Sequence, residues 1–358
     1  MKRIITTVGT SLFSNYNEKK KESLNKEIKD EPYSEYNMCQ DEINEIKEKL
    51  IPFAREENSC AELTSINKIK EKYGDIEVYL IATDTIESVL VCEILVEILE
   101  NVKFNPQYDV IKKLQVKEYK EFKEGLSNLI NRLYGIASNY YDNLILNITG
   151  GYKVTISYLT IFGQVNSVPL YYIFENSGSL ISIPKIPLSI DEKLFDNHWK
   201  EFEKLTKEEV VEKSSLSYQF LTEMESLFEV DDTLVSLNPL GAILWQRYRD
   251  KFFVFYAPKE ILDEIENQSD IKRILESKFR QETRESKTEK KNGHLVYDDG
   301  NNPNRIFYFT DDKSIYIYKT FDSGHDEYEK YINNSKVDKE KIKETSVAQK
   351  IEKRIENV

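Results

Sequence analysis

Asn147-Ile148-Thr149-Gly150-Gly151-Tyr152-Lys153 follows an apolar run, Leu144-Ile145-Leu146, and opens a second apolar stretch through Val154, Ile156, Leu159 and Ile161. The spacing predicts a buried strand, a tight turn and a helix. The first amides of such a helix lack intrahelical partners, its dipole is positive there, and glycine lets an anion approach the backbone. Lys153 adds a formal charge, and Asn147 and Thr149 add neutral hydrogen-bonding groups. A plain strand-to-helix turn would use the same residues, so this stretch needs company.

Two other predicted strands end in the same way. Arg3 to Val8 is a short β-type run ending in Gly9-Thr10-Ser11. Ile76 to Ala82 ends in Thr83-Asp84-Thr85 ahead of an apolar helix through Val89, Leu90, Ile94, Leu95 and Ile98. Any one of these ends could be an ordinary N-cap. Three together point to a ligand site, because open α/β sheets bind ligands beyond the carboxyl ends of their strands.

A chain of 358 residues implies two or three domains. Met1-Lys2-Arg3 precedes a β-type run too short for the apolar core of a signal peptide. No apolar run approaches the ~20 residues that span a bilayer, so the expected location is cytoplasmic. Cys39, Cys60 and Cys92 stand far apart, which fits a reducing compartment and gives no metal-ligand spacing. A net charge of −13 argues against coating nucleic acid with the whole surface, so any RNA contact must be local.

The pair VGTSL (residues 8–12) and NITGGYK (147–153) resembles the CARF domain, the CRISPR-associated Rossmann fold, over residues 1–190. The resemblance implies a parallel α/β sheet and a homodimeric sensor of cyclic oligoadenylate, with cyclic tetra-adenylate the expected ring. It places Gly9, Thr10, Ser11, Asn147, Thr149, Gly150, Gly151 and Lys153 in the ligand pocket; Thr83, Asp84 and Thr85 match by position alone. The charged excursion from Ser14 to Asn37 is either a lid over the ligand or a solvated insertion. Helices are predicted at Asp41–Glu57, at Ser59–Tyr73 with Ser59 and Glu62 in capping-box spacing, and at Val116–Tyr140. Val168–Phe174 and Leu180–Pro184 read as an edge hairpin turning on Asn176-Ser177-Gly178.

Residues 191–250 read as a helical connector: a helix to Lys213, another around Tyr218–Phe228, a β-like piece at Thr233–Ser236, then Pro239–Arg249. The order looks like a degenerate winged helix. Lys204–Lys213 mixes Lys with Glu208, Glu209 and Glu212, so it makes no basic recognition helix.

In residues 251–358 a strand at Phe252–Tyr256 precedes a helix to Glu266 and a second predicted over Asp270–Lys291. Strands follow at His294–Tyr297, Arg305–Thr310 and Ser314–Thr320, then a charged tail predicted as helical. On the second helix Arg273, Arg280, Arg284, Lys287 and Lys291 are spaced 7, 4, 3 and 4, which puts them within about 60° of one another. Such a stripe would track an RNA backbone, or it is the solvated face of an amphipathic helix.

The element order, with Arg305-Ile-Phe-Tyr-Phe309 and the Gly324-His325 pair, is similar to the RelE family of small ribonucleases. That resemblance implies metal-independent cutting of messenger RNA, typically on the ribosome. Arg305 and Lys319 would stabilise the phosphorane, His325 would move a proton, and Tyr328 or Tyr331 would stack on a base or donate a proton. Asp326 and Glu327 stand where relatives often carry basic residues. His294 is a second candidate, and either histidine could be structural. Among rivals, a HEPN ribonuclease needs Arg, four to six residues, then His, which none of His198, His294 and His325 has. A metal nuclease would need clustered carboxylates, and Asp298, Asp299, Asp311 and Asp312 lie at predicted turns. A CARF transcription regulator, or a ring nuclease that binds or degrades the ligand without cutting RNA, remains the alternative.

Overall fold

The computed structural model describes residues 1–354 other than 103, 116, 118, 139, 175–177, 188–189, 301–302, 312–313 and 323–324, with side chains except at 119–120, 281–282 and 325–326. Two compact units divide the chain. One is Met1–Ile190 with Thr222–Asp231 and Ser236–Leu244; the other is Asp191–Leu221, Asp232–Val235 and Trp245–Val358.

The first unit runs β1 (Lys2–Thr7), α1 (Ser11–Lys20), α2 (Gln40–Ala54), α3 (Ala61–Tyr73), β2 (Ile76–Ala82), α4 (Ile86–Asn101), β3 (Asn105–Val110), α5 (Tyr119–Ala137), β4 (Leu144–Asn147), α6 (Lys153–Val165), β5 (Leu170–Ile173) and β6 (Leu180–Ile183). Its sheet has the order β3-β2-β1-β4-β5-β6. Every neighbouring pair is parallel except the β5/β6 edge hairpin. The continuous apolar runs have a simple cause: parallel strands are covered on both faces. Ile4, Val78, Leu80 and Ile145 pack with Leu50, Ile66 and Leu90 on one side. Ile5, Ile81, Leu144 and Leu146 pack with Leu129, Leu133 and Phe162 on the other. The two-residue period of a strand separates the layers.

Two local expectations fail here. The excursion from Ser14 to Asn37 is not a solvated insertion, because Tyr16 and Ile28 are buried. Its main chain is tied down as well: Ile86 N–H donates to Glu31 O at 2.9 Å and Tyr33 N–H to Asp84 O at 3.3 Å. Tyr16 continues the buried face that Leu12 and Phe13 begin at the start of α1. Nor does Ser59 form a capping box with Glu62. Cys60 is the N-cap of α3, its Sγ accepting the Leu63 amide, while Ser59 Oγ turns back to Ala54 O at 2.8 Å.

Residues 191–250 carry α7 (Glu192–Glu208), β7 (Val210–Glu212), α8 (Tyr218–Glu223), β8 (Phe228–Asp231), β9 (Leu234–Leu237) and α9 (Pro239–Arg249), and they contribute to both units.

The second unit continues with β10 (Phe252–Pro258), α10 (Lys259–Asn267), α11 (Ser269–Ser277), α12 (Gln281–Ser286), β11 (Thr288–Lys291), β12 (His294–Asp298), β13 (Arg305–Asp311), β14 (Ser314–Phe321), α13 (His325–Asn334), α14 (Lys339–Thr345) and β15 (Ser346–Glu352). The sheet order is β11-β12-β13-β14-β10-β15. The strand, the helix that follows it and the antiparallel meander expected from the sequence are present. The single helix expected over Asp270–Lys291 is not. It breaks at Lys278–Arg280, where Phe279 turns into the core, and its end becomes β11. Asn292 and Gly293, both at positive φ, close a two-residue hairpin that pairs Lys291 with His294. The tail is also not wholly helical. Residues 346–352 form β15, antiparallel to β10 over seven positions, and so cover a sheet edge.

Candidate functional site

In the first unit β1 lies between β2 and β4, with β3 beyond β2 and β5 beyond β4. The topological switch point therefore falls between β1 and β4, the place where open α/β sheets bind ligands. The turns that follow these two strands are Gly9–Ser11 and Thr149–Lys153. They touch, since a β-carbon on Gly9 would lie 2.9 Å from Gly151 N, and the end of β1 braces the second turn through Thr7 Oγ1, which donates to Gly150 O at 2.6 Å. A β-carbon on Gly150 would overlap Glu62 Oε1 and lie 2.7 Å from Thr7 O. Gly151 has φ +93°, a conformation that favours glycine. Lys153 is exposed at the first position of α6, and Tyr152, the N-cap, caps it with no side-chain hydrogen bond. Among the described residues no ion pair engages Lys153.

The other expected ligand residues divide between the surface and internal bracing. Thr10 is exposed at the start of α1. Asn147 is fully buried: its Nδ2 donates to Ser65 Oγ at 2.7 Å and Thr6 Oγ1 at 3.3 Å, and its Oδ1 accepts the Thr149 hydroxyl at 2.6 Å. Thr149 Oγ1 in turn accepts the Ile173 amide at 3.1 Å. Both residues hold the turn in shape. At the third strand end Thr85 is the N-cap of α4, its hydroxyl 3.0 Å from that of Thr83, and Asp84 Oδ2 accepts the Lys113 amide at 2.7 Å. Burial pushes the Tyr152 phenol up in pKa, against a hydrogen bond with Thr83 that joins this end to the β4 turn.

Glu62 is the residue that sequence reasoning missed. It is fully buried beneath both turns, where Oε1 accepts the Gly9 amide at 2.9 Å and Oε2 the Ser11 hydroxyl at 2.5 Å. Its spacing from Ser59 had marked it only as a cap. No local signal connects a residue of α3 to the end of β1.

In the second unit four of the five expected catalytic residues gather around Phe321. Its ring centroid lies 6.2 Å from that of Tyr328 and 5.7 Å from that of Tyr331, with Lys319 Nζ 5.4 Å from it. Arg305 lies over Tyr328 at 5.5 Å and pairs with Asp298 at 2.9 Å. Lys319 pairs with Glu264 at 2.8 Å. Lys291 Nζ donates to the Tyr328 hydroxyl at 3.0 Å, and its hydrogen bonds to Glu289 and then to Tyr328 raise its pKa. Burial raises that of Tyr331. The side chain of His325 lies outside the described residues. His294 is buried, with its ring nitrogens 2.9 Å from the Tyr318 hydroxyl and 3.1 Å from Ser335 O.

The basic stripe does not form, because its five residues do not share a helix. Lys291 joins the cluster just described. Arg284 is buried against the rings of Phe279 and Tyr308. Lys287 and Lys278 both pair with Asp299. Arg280 donates to Arg354 O at 3.0 Å, and Arg273 pairs with Asp270 at 3.4 Å. Asp299 is no solvated turn residue. Burial alone would raise its pKa, but the hydrogen bonds from Lys278 and Lys287 hold it below the usual value. Among the described residues no three His, Cys, Asp or Glu side chains gather as a metal site, and no helix is long and apolar enough to cross a membrane.

The first unit is thus a doubly wound α/β unit with two glycine-containing turns at its switch point. Residues 57–186, which contain β2, β4 and the Thr149–Lys153 turn, match the family described as CRISPR-associated protein (Cas_APE2256). The match spans a little over a third of the chain and reaches neither the β1 turn nor the second unit. Among solved structures the chain is similar to Can2 from Sulfobacillus thermosulfidooxidans in complex with cyclic tetra-adenylate. That likeness is 13% identity over 68% of this chain and 70% of that one, with a TM-score of 0.21. A superposition so loose carries no weight for function.

Proposed function

We propose that this chain is a cyclic-oligoadenylate-activated ribonuclease of type III CRISPR defence. The observation that carries the reading is the Gly150-Gly151-Lys153 turn. It stands at the switch point of a doubly wound sheet, inside the segment that matches a CRISPR-associated family. The ligand is a cyclic oligoadenylate, with the tetra-adenylate as the first candidate, bound across the two-fold of a homodimer. Its phosphates meet the start of α6 and Lys153, where unpaired amides and a positive charge coincide.

The second unit cuts messenger RNA by attack of a 2′-hydroxyl on the adjacent phosphate. His325 takes the hydroxyl proton, the P–O5′ bond breaks, and the products are a 2′,3′-cyclic phosphate and a 5′-hydroxyl. Arg305, with Lys291 and Lys319, stabilises the charge that develops on the phosphorane. Tyr328 or Tyr331 stacks on a base or gives a proton to the leaving oxygen. In the free protein these cations face Asp298, Glu289 and Glu264, and substrate phosphate would compete for them. Ligand binding activates only through a difference in affinity between two states of the protein.

The test is cleavage of a messenger RNA by the purified protein, with and without cyclic tetra- and hexa-adenylate, each with and without ribosomes. Cutting that needs both the ligand and ribosomes supports the RelE-like reading. Ligand-dependent cutting of free RNA keeps the sensor and replaces the nuclease type. Ligand binding with no cutting under any condition favours a regulator or a ring nuclease.

A further inference from the structure

Glu62 is an anion buried in a site read as binding an anion. Its carboxylate takes the Gly9 amide at 2.9 Å and the Ser11 hydroxyl at 2.5 Å and has no exposed surface. It is the second residue of α3, where the helix dipole stabilises a negative charge. Among the described residues no Lys, Arg or His forms an ion pair with it. Two of the donors that the sequence offered to a ligand at the β1 turn, the Gly9 amide and the Ser11 hydroxyl, are therefore already used.

We infer that Glu62 acts as a resident anion: it occupies the β1 turn, confines ligand phosphate to the Gly150–Lys153 turn, and lowers affinity to a set level. A phosphate at the Gly9 amide would have to displace a carboxylate that makes two good hydrogen bonds. A phosphate at the Gly150 turn keeps its own donors but lies close to that charge, since Gly150 packs on Glu62. The protein thereby specifies which turn reads phosphate, and the repulsion sets the ligand level at which the sensor fills. The inference rests on the sensor reading above.

The experiment is calorimetric titration of the full chain with cyclic tetra-adenylate, using wild type, Glu62→Gln and Glu62→Asp, each with its melting curve. Gln keeps the shape and an acceptor for the Gly9 amide but removes the charge. Glu62→Gln is expected to bind about tenfold more tightly, as a charge pair a few ångströms apart in a partly buried site would dictate. Glu62→Asp keeps the charge and is expected to show no gain. Equal or weaker binding by a folded Glu62→Gln overturns the inference.

Should Glu62→Gln fail to fold, wild type labelled with ¹⁵N at its 12 glycines decides. Ligand is expected to move the Gly150 and Gly151 amide protons strongly and the Gly9 amide little. A Gly9 shift as large as theirs places phosphate on the β1 turn and overturns the inference. Wild type that binds neither cyclic tetra- nor hexa-adenylate refutes the sensor reading, and this inference with it.

Discussion

Thr7 Oγ1 donates to the Gly150 carbonyl oxygen at 2.6 Å, joining the end of β1 to the turn after β4, 143 residues away in the chain. Thr7 is 4% exposed, so water does not replace that bond when it is lost. Thr7→Val keeps the volume and removes the donor. It is expected to cost about 1–2 kcal/mol, the usual penalty for a buried acceptor left unpaired. A thermal melt should show the loss, and ligand affinity should fall with it because the β4 turn loosens.

Gly150→Ala tests the close approach of the turns. The added methyl overlaps Glu62 Oε1 and meets Thr7 O at 2.7 Å. Overpacking of this kind costs about 1–3 kcal/mol. A melting temperature unchanged from wild type would mean that the turns are farther apart in solution.

Lys153→Ala should leave stability unchanged, since the side chain is exposed and begins a helix. Its expected effect is on the ligand. Affinity for cyclic tetra-adenylate should drop about tenfold, and the slope of log affinity against log salt should fall by about one, as for a single lost phosphate contact. Titrations at several salt concentrations measure both.

Arg305→Ala should separate cutting from sensing. Loss of one preorganised cation at a phosphorane lowers the rate by about 10²–10³-fold, while ligand affinity stays at the wild-type value. Asp298 loses its partner, so a melting curve must accompany the assay. Cleavage at the wild-type rate would move the catalytic site elsewhere.

Asp299 ties acid stability to two lysines. Its side chain is 5% exposed, and hydrogen bonds from Lys278 and Lys287 overcome burial to lower its pKa. A group whose pKa falls on folding stabilises above its unfolded value, about 3.9, and loses that contribution as pH drops through the folded value. Removing the lysines raises the folded pKa. The Lys278→Gln/Lys287→Gln double variant should therefore unfold at a higher pH than wild type in an acid titration followed by near-ultraviolet circular dichroism. A coincident acid limb would show that the pair contributes nothing.

Much of the first unit was legible because its signals are local. Apolar runs at Ile4-Ile5, Val78–Ile81 and Leu144–Leu146 marked strands, and Gly9 and Gly150-Gly151 marked the turns after two of them. The second unit misled where a local preference lost to long-range pairing. Thr288–Lys291 reads as helix in isolation, yet Asn292-Gly293 folds it back on His294–Tyr297. The Asn-Gly dipeptide was the available signal. Ser346–Glu352 gave less warning, since its strand exists only by pairing with β10.

The sequence by itself determined the strand–turn–helix units, the glycine turns and the meander, because hydrophobic period and turn chemistry act over a few residues. Only the tertiary structure decided what fills those turns and which cations assemble. Glu62 reaches Gly9 across 53 residues, and Lys291 reaches Tyr328 across 37. Such contacts depend on how sheets and helices stack, and no pattern within one segment encodes them.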